Sequence, residues 1–179
     1  TKYKPSFIEG NDNALANHFL DIIGDDLINV NNCIYFYKDP YWKQVKETSN
    51  LLCPIHDTLE VSVKLNIKKF NTLISTTTDE EQSEKYRKNK EGYKKLLNTI
   101  GSASKLKSIA SIVVERIEES YCDIDNVKPY YFCFQDCAFD LISRKKIKVD
   151  KYDYISIHTG YNYSKPNPER VDEIKNIID

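Results

Sequence analysis

Asp123 and Asp125, one residue apart, are the acids in this chain best placed to do chemistry. In a strand their side chains face the same side and can share a divalent cation, as metal-assisted phosphoryl transfer requires. The plainer reading is a solvated loop after a helix ending near Cys122, and no histidine with basic and acidic neighbours follows. A second constellation is Cys53 and His56, from Cys53-Pro54-Ile55-His56, together with Cys133 and Cys137. Three thiolates and one imidazole suit zinc, but the spacings are loose and Cys133 lies in an apolar run where cysteine behaves as a small hydrophobe. His18 lies beside an apolar helix face and reads as a packing residue. No local signature brings a nucleophile to a base. We therefore assign no catalytic, cofactor-binding or metal-binding residue.

The basic residues offer more. Lys64, Lys68 and Lys69 recur at helical spacing, Tyr86-Arg87-Lys88-Asn89-Lys90 to Lys94-Lys95 interleaves charge with an aromatic, and Arg144-Lys145-Lys146 with Lys148 falls at a hairpin. Each patch taken alone also reads as a solvated face. The hairpin is the first choice, because a basic tip can reach a phosphate backbone as a wing does. Tyr35, Tyr37, Tyr41 and Trp42 have the ring chemistry to stack bases, although core packing competes for at least two of them.

Composition limits these readings. Twenty-six basic residues stand against 27 acidic ones, and the formal net charge of -1 excludes a module that binds nucleic acid through bulk charge. Any such contact must come from a local patch. No apolar run approaches the roughly 18 residues of a membrane span, and no signal-peptide pattern opens the chain, so a soluble, non-secreted protein is expected. An odd number of cysteines, five, fits thiols kept reduced inside a cell. The absence of Met suggests a piece of something longer.

The elements that must position these residues follow from periodicity. Residues 13–23 put Ala16, Phe19, Leu20 and Ile23 on one face, with Asn11 or Asp12 as N-cap and Gly24 as the stop. Two β-prone runs flank Asn31-Asn32, a pair that tolerates the positive φ of a tight hairpin, and Trp42 opens a third strand or an aromatic lid. Helices are expected over 57–74, from an Asp79 cap through the basic run to Leu97, and over 105–119, making a three-helix unit. Beyond Asn126 the period becomes 2: strands are expected at 130–134, 138–142, 147–149 and 154–157, with Ser143-Arg144-Lys145-Lys146 as a tight tip. Residues 169–178 read as a closing helix.

The order Phe132-Cys133-Phe134, Gln135-Asp136-Cys137, Ala138-Phe139-Asp140-Leu141, Asp150-Lys151-Tyr152-Asp153-Tyr154-Ile155 and Thr159-Gly160-Tyr161-Asn162-Tyr163 resembles a known family. It is similar to the domain preceding the superfamily-3 helicase in primase-helicases of poxviruses, giant DNA viruses, phages and plasmids, and most similar to the giant-virus branch. One departure stands out: the family's Asn-Gly is Asp136-Cys137 here, so a turn suited to glycine must take another geometry.

The resemblance implies a non-catalytic domain linking an upstream primase to a hexameric ring motor, aiding oligomerisation and forming part of a collar around DNA. The implied partners are single-stranded or forked DNA, contacted without sequence preference, and the protein's own primase and helicase domains in a homo-hexamer. No membrane partner is expected. The implied location is the host cytoplasm or a viral factory. No cofactor is expected in these residues. ATP and Mg belong to the parent motor, since no Gly-x-x-x-x-Gly-Lys-Ser/Thr phosphate loop occurs and the motor is expected beyond Asp179.

The expected fold is α+β in a single domain, 1–179. A helix and hairpin (5–50), a helical middle (57–119), a β-rich segment (128–163) of short strands and a closing helix (168–179) follow one another. Two alternatives stay open, a metal-dependent primase or nuclease fragment using Asp123 and Asp125, and a pure protein-protein adaptor.

Overall fold

The computed structural model describes residues 8–165 and 167. The expected closing helix at 169–178 lies outside the described residues. Helix α1 (Asp12–Ile23) starts where the Asn11 side chain accepts the Ala14 N–H at 2.8 Å, partnering a donor that every helix start leaves orphaned. It stops at Gly24, whose φ of 51° suits glycine and whose N–H returns to the Leu20 carbonyl. Strands β1 (Leu27–Val30) and β2 (Cys33–Lys38) pair antiparallel, Leu27 opposite Phe36 and Val30 opposite Cys33. Their turn is Asn31-Asn32, with φ of 51° and 62°, the left-handed pair that matches strand twist. Strand β3 (Tyr41–Gln44) completes a sheet in the order β1-β2-β3.

Helix α2 (Leu52–Thr76) begins earlier than periodicity indicated. Pro54 falls in its first turn, where proline gives up no needed donor and its fixed φ is already helical. Helix α3 (Glu80–Ile100) is capped by Asp79, which accepts from the N–H groups of Glu81 and Gln82. Ser102 caps α4 (Ala103–Arg116). That helix ends short of Glu119, because the chain leaves it to meet β1: the Ser120 N–H donates to the Asn29 carbonyl at 2.6 Å.

Two compact units result. The first comprises Thr1–Phe36 with Gln44–Tyr121 and the second Tyr37–Lys43 with Cys122–Asp179. In the first, Leu15 and Phe19 of α1, Ile55, Leu59 and Val63 of α2, Ile100 of α3 and Ile109 and Val113 of α4 are wholly enclosed. Each such side chain contributes about 1.5–3 kcal/mol when removed from water. Lys105 clamps the start of α1, bonding the Asp12 carboxylate at 2.8 Å and the Gly10 carbonyl at 2.9 Å.

The second unit holds β4 (Tyr131–Cys133), β5 (Ala138–Asp140) and β6 (Lys145–Ile147) in an antiparallel meander. Its core is Tyr41, Cys133, Ala138, Val149 and Ile155, and Trp42 is fully buried. The α+β class with a helical middle is therefore found as expected. Two local expectations are corrected. The fifth and sixth strands are shorter and shifted, so Lys145 and Lys146 lie in β6 rather than at the tip, and Lys148 lies beyond it. Residues 154–157 form no strand, because a 3-10 turn at Lys151–Asp153 turns the chain first.

Trp42 fixes that returning segment. Its backbone N–H donates to the Ile155 carbonyl at 2.8 Å, its indole Nε1–H to the Lys151 carbonyl at 2.9 Å, and its ring stacks on Tyr154 at 5.9 Å. Trp42→Phe removes the indole donor and leaves a small void. It should cost about 2 kcal/mol and lower the thermal midpoint of circular-dichroism unfolding by about 4–8 °C; an unchanged midpoint would contradict this role.

Candidate nucleic-acid interface

The hairpin between β5 and β6 carries the basic residues that sequence placed at its tip. Its loop is stiffened by Asp140, whose carboxylate accepts from the Ile142 N–H at 2.9 Å, the Ser143 N–H at 3.3 Å and the Ser143 hydroxyl at 2.7 Å. These bonds, the Ser143 hydroxyl foremost, hold the Asp140 carboxyl below the usual carboxylate range. Arg144 closes the loop at φ 55°, a left-handed conformation that costs a residue with a Cβ about 1–2 kcal/mol. An exposed guanidinium is thus presented at the point of tightest turning.

The surrounding cations differ in their pairing. Lys146 reaches the Asp136 carboxylate at 3.2 Å and lies over the Tyr163 ring at 5.1 Å. Arg144, Lys145 and Lys148 have no acidic partner among the described residues and are exposed. On the helices, too, pairing covers only some of the cations. Lys64 pairs with Glu60 at 2.9 Å, Arg87 with Glu84 at 3.7 Å, and Lys94 with Glu91 at 2.7 Å. Lys68, Lys69 and Lys88 stay exposed beside them. Surface pairs of this kind add little stability and offset only part of the charge the helix faces present.

Strand register sorts the sheet into two faces. Tyr131, Cys133, Ala138 and Ile147 point to the core. Phe132, Phe139 and Lys146 stand opposite one another on the other face. Phe134 continues that face beyond β4 and meets Phe132, Tyr161 and Tyr163 edge to face at 5.2, 5.8 and 5.2 Å. The segment carrying the two tyrosines is hydrogen-bonded alongside: Thr159 N–H to the Cys133 carbonyl at 2.9 Å, and Gln135 N–H to the Tyr161 carbonyl at 2.8 Å. Sequence reasoning missed this cluster. Its signal was present in Tyr130-Tyr131-Phe132-Cys133-Phe134, a strand apolar on both faces.

Asp136 explains the departure from Asn-Gly. Cys137 has no positive φ, so the turn does without a left-handed residue there. Instead the Asp136 carboxylate accepts the Tyr163 N–H at 2.7 Å with one oxygen and Lys146 with the other. The Tyr163 N–H, then Lys146, hold its carboxyl below the usual range. Beneath it, the Tyr41 hydroxyl bonds the carbonyls of Phe134 and, at 2.9 Å, Cys137. Burial pushes the Tyr41 phenol above its ordinary range.

The residues proposed for metal chemistry are engaged elsewhere. Asp125 sits in a turn at φ 66°, not a strand, and its carboxylate accepts the Ser156 N–H at 2.6 Å, the Ser156 hydroxyl at 2.5 Å and the Ile157 N–H at 3.2 Å. Asp123 is exposed. Burial raises the Cys133 thiol to about 11 and raises Cys137 as well, so both stay protonated and unreactive at neutral pH. No group of three or more His, Cys, Asp or Glu among the described residues is placed to hold a metal ion, and the Cys53, His56, Cys133 and Cys137 set is not assembled. His18 is half-buried in α1, and burial lowers its pKa. Tyr41 and Trp42, candidates for stacking, are buried in the core.

Two outcomes follow. Asp125→Ala should destabilise the protein by about 2 kcal/mol in denaturant titration, equally with added Mg2+ or with chelator; a loss of stability seen only with metal would restore the metal reading. For Asp136 the folded carboxyl lies below its unfolded value, so its stabilisation is complete above the unfolded value near pH ~4 and is lost as pH falls through the lower folded one. Exchange protection of the Tyr163 amide, corrected for intrinsic rate, should be level from about pH 7 to 5 and collapse below about pH 4. Asp136→Ala should remove it at every pH.

Comparison with known proteins agrees with the motif order. Residues 16–179 match the family described as D5 N terminal like. No curated protein matches the chain. With nearly its whole length covered, the chain belongs to the D5 N terminal like family, the N-terminal region of viral D5-type primase-helicases.

Proposed function

We propose that this region is a non-catalytic linker within its primase-helicase, joining the primase to the ring motor, supporting a homo-hexamer and touching DNA without sequence preference. The observation that carries the DNA contact is the β5–β6 hairpin, where Arg144 on a loop stiffened by Asp140, Lys145 in β6 and Lys148 just beyond it stand exposed and, among the described residues, without acidic partners. A basic projection of this kind serves phosphates, which position a protein without conveying sequence. ATP and Mg belong to the motor in this reading, since these 179 residues contain no phosphate loop. The metal-dependent primase or nuclease alternative is weakened by Asp125, whose oxygens are committed to Ser156 and Ile157.

Each phosphate contact adds about 0.7 to the salt slope for a single strand. Replacing Arg144, Lys145 and Lys148 together with Gln should therefore lower that slope by about 2 and weaken binding to single-stranded DNA at about 50 mM salt. Replacing Lys64, Lys68 and Arg87 should change it less. Fluorescence anisotropy is the measurement, and binding that is absent at low salt, or indifferent to the hairpin variant, would remove the DNA contact. Sedimentation of the longer protein with and without this region tests its part in assembly.

A further inference from the structure

The face of the β4–β5–β6 sheet that points away from the core breaks the usual rule for a small antiparallel sheet. Alternation should place polar side chains on the solvent side. Here that side carries Phe132, Phe134 and Phe139, ringed by Tyr161 and Tyr163. Phe132 is 47% exposed and Tyr161 58%, large values for rings that hydrophobicity alone would bury. Packing within the unit does not account for them, since its core lies on the opposite face. The side chains are held in place: Phe134 braces Phe132 and both tyrosines, and two backbone hydrogen bonds fasten the tyrosine segment to the strand.

Charge decides what suits this face. Lys146 rises between the phenylalanines and Tyr163, in register with Phe139. The exposed Arg144 comes from the loop of the same hairpin. The nearby carboxylates do not repel an anion fully, because Asp136 and Asp140 are tied to Lys146, to backbone N–H groups and to Ser143. Flat rings beside cations match a ligand made of flat rings strung on phosphates.

We propose that this aromatic sheet face is a stacking platform for the bases of a single strand, so that the region prefers single-stranded to duplex nucleic acid. The proposal rests on the phosphate contact assigned to the β5–β6 hairpin and adds to it a base-binding surface. Duplex bases are stacked on each other and cannot offer their faces, whereas an unpaired strand can, and stacking on aromatic rings is indifferent to sequence.

The test uses the 179-residue chain with a fluorescein-labelled oligo-dT strand and with a duplex of equal length. Phe132→Ala with Tyr161→Ala should weaken single-strand binding about tenfold or more, change duplex binding less than about twofold, and leave the salt slope of the hairpin unchanged. Both rings are exposed, and the hydrogen bonds of Tyr161 use only its backbone, so the fold is retained. Circular dichroism checks this, and Phe132→Leu, which keeps the apolar area and loses the flat ring, should show most of the defect of Phe132→Ala alone. Unchanged single-strand affinity in the double variant overturns the platform while leaving the hairpin contact standing. Wild-type chain that binds no DNA at low salt overturns both. Self-association in sedimentation that the double variant abolishes, with DNA affinity intact, assigns the face to a second copy of the chain and overturns the proposal.

Discussion

The second unit depends on the insertion of Tyr41 and Trp42. Its three strands have three residues each, and a sheet that short cannot hold itself together by ladder hydrogen bonds. The deficit is met by two residues from a distant part of the chain. Trp42 bonds the Lys151 and Ile155 carbonyls, Tyr41 bonds the Phe134 and Cys137 carbonyls, and both are almost fully buried. A buried carbonyl without a partner is costly: those of Cys137 and Lys151 also accept the Phe134 and Tyr154 N–H groups, while those of Phe134 and Ile155 are met by Tyr41 and Trp42. Aromatic side chains with polar ends can supply apolar area and a donor at once, which is why this unit is built on tyrosine and tryptophan rather than leucine.

Four carboxylates complete what the aromatics begin. Asp125, Asp136, Asp140 and Asp150 each accept backbone N–H groups from chain that no strand pairs. Asp150 and Asp153 form a reciprocal cap on the 3-10 turn that brings Tyr154 onto Trp42 at φ 50°. The acidic motif at 150–155 is thus a turn followed by an anchor. Asp and Asn favour such roles because a short side chain reaches neighbouring donors and tolerates left-handed backbone. An acid in this unit is therefore poor grounds for metal chemistry, and the aspartate pair Asp123 and Asp125 illustrates why: one faces solvent and the other replaces a strand's hydrogen bonds.

Sequence periodicity revealed the first unit better than the second, for a physical reason. Its helices satisfy their own backbones, so caps such as Asn11 and Asp79 and an apolar stripe every three to four residues are enough to mark them. The Asn31-Asn32 turn was equally local. In the second unit each segment's hydrogen bonds lie far away in sequence, and alternation at 154–157 suggested a strand where Asp125 and Trp42 hold an irregular chain. The hairpin register was missed by two residues because Arg144, with no glycine at the turn, gives no sign of a left-handed φ. Alternation at 130–134 was correct about opposite faces, yet it could not say that the apolar outer face would remain open.

A nearly neutral chain can still present a localised positive surface, and pairing is what localises it. On α2 and α3 some acids lie three or four residues from a base, the spacing at which helical side chains meet, so the charges of Lys64, Arg87 and Lys94 are offset where they arise. Strands bring no such neighbours from the same segment. The hairpin acids at 136 and 140 are spent largely on backbone N–H groups, and only Lys146 gains an ionic partner. Field from Arg144, Lys145 and Lys148 therefore reaches solvent, on the scale of a Debye length of about 8–10 Å. The placement of acids in secondary structure, more than the count of charges, sets which surface of this protein is open to a phosphate chain.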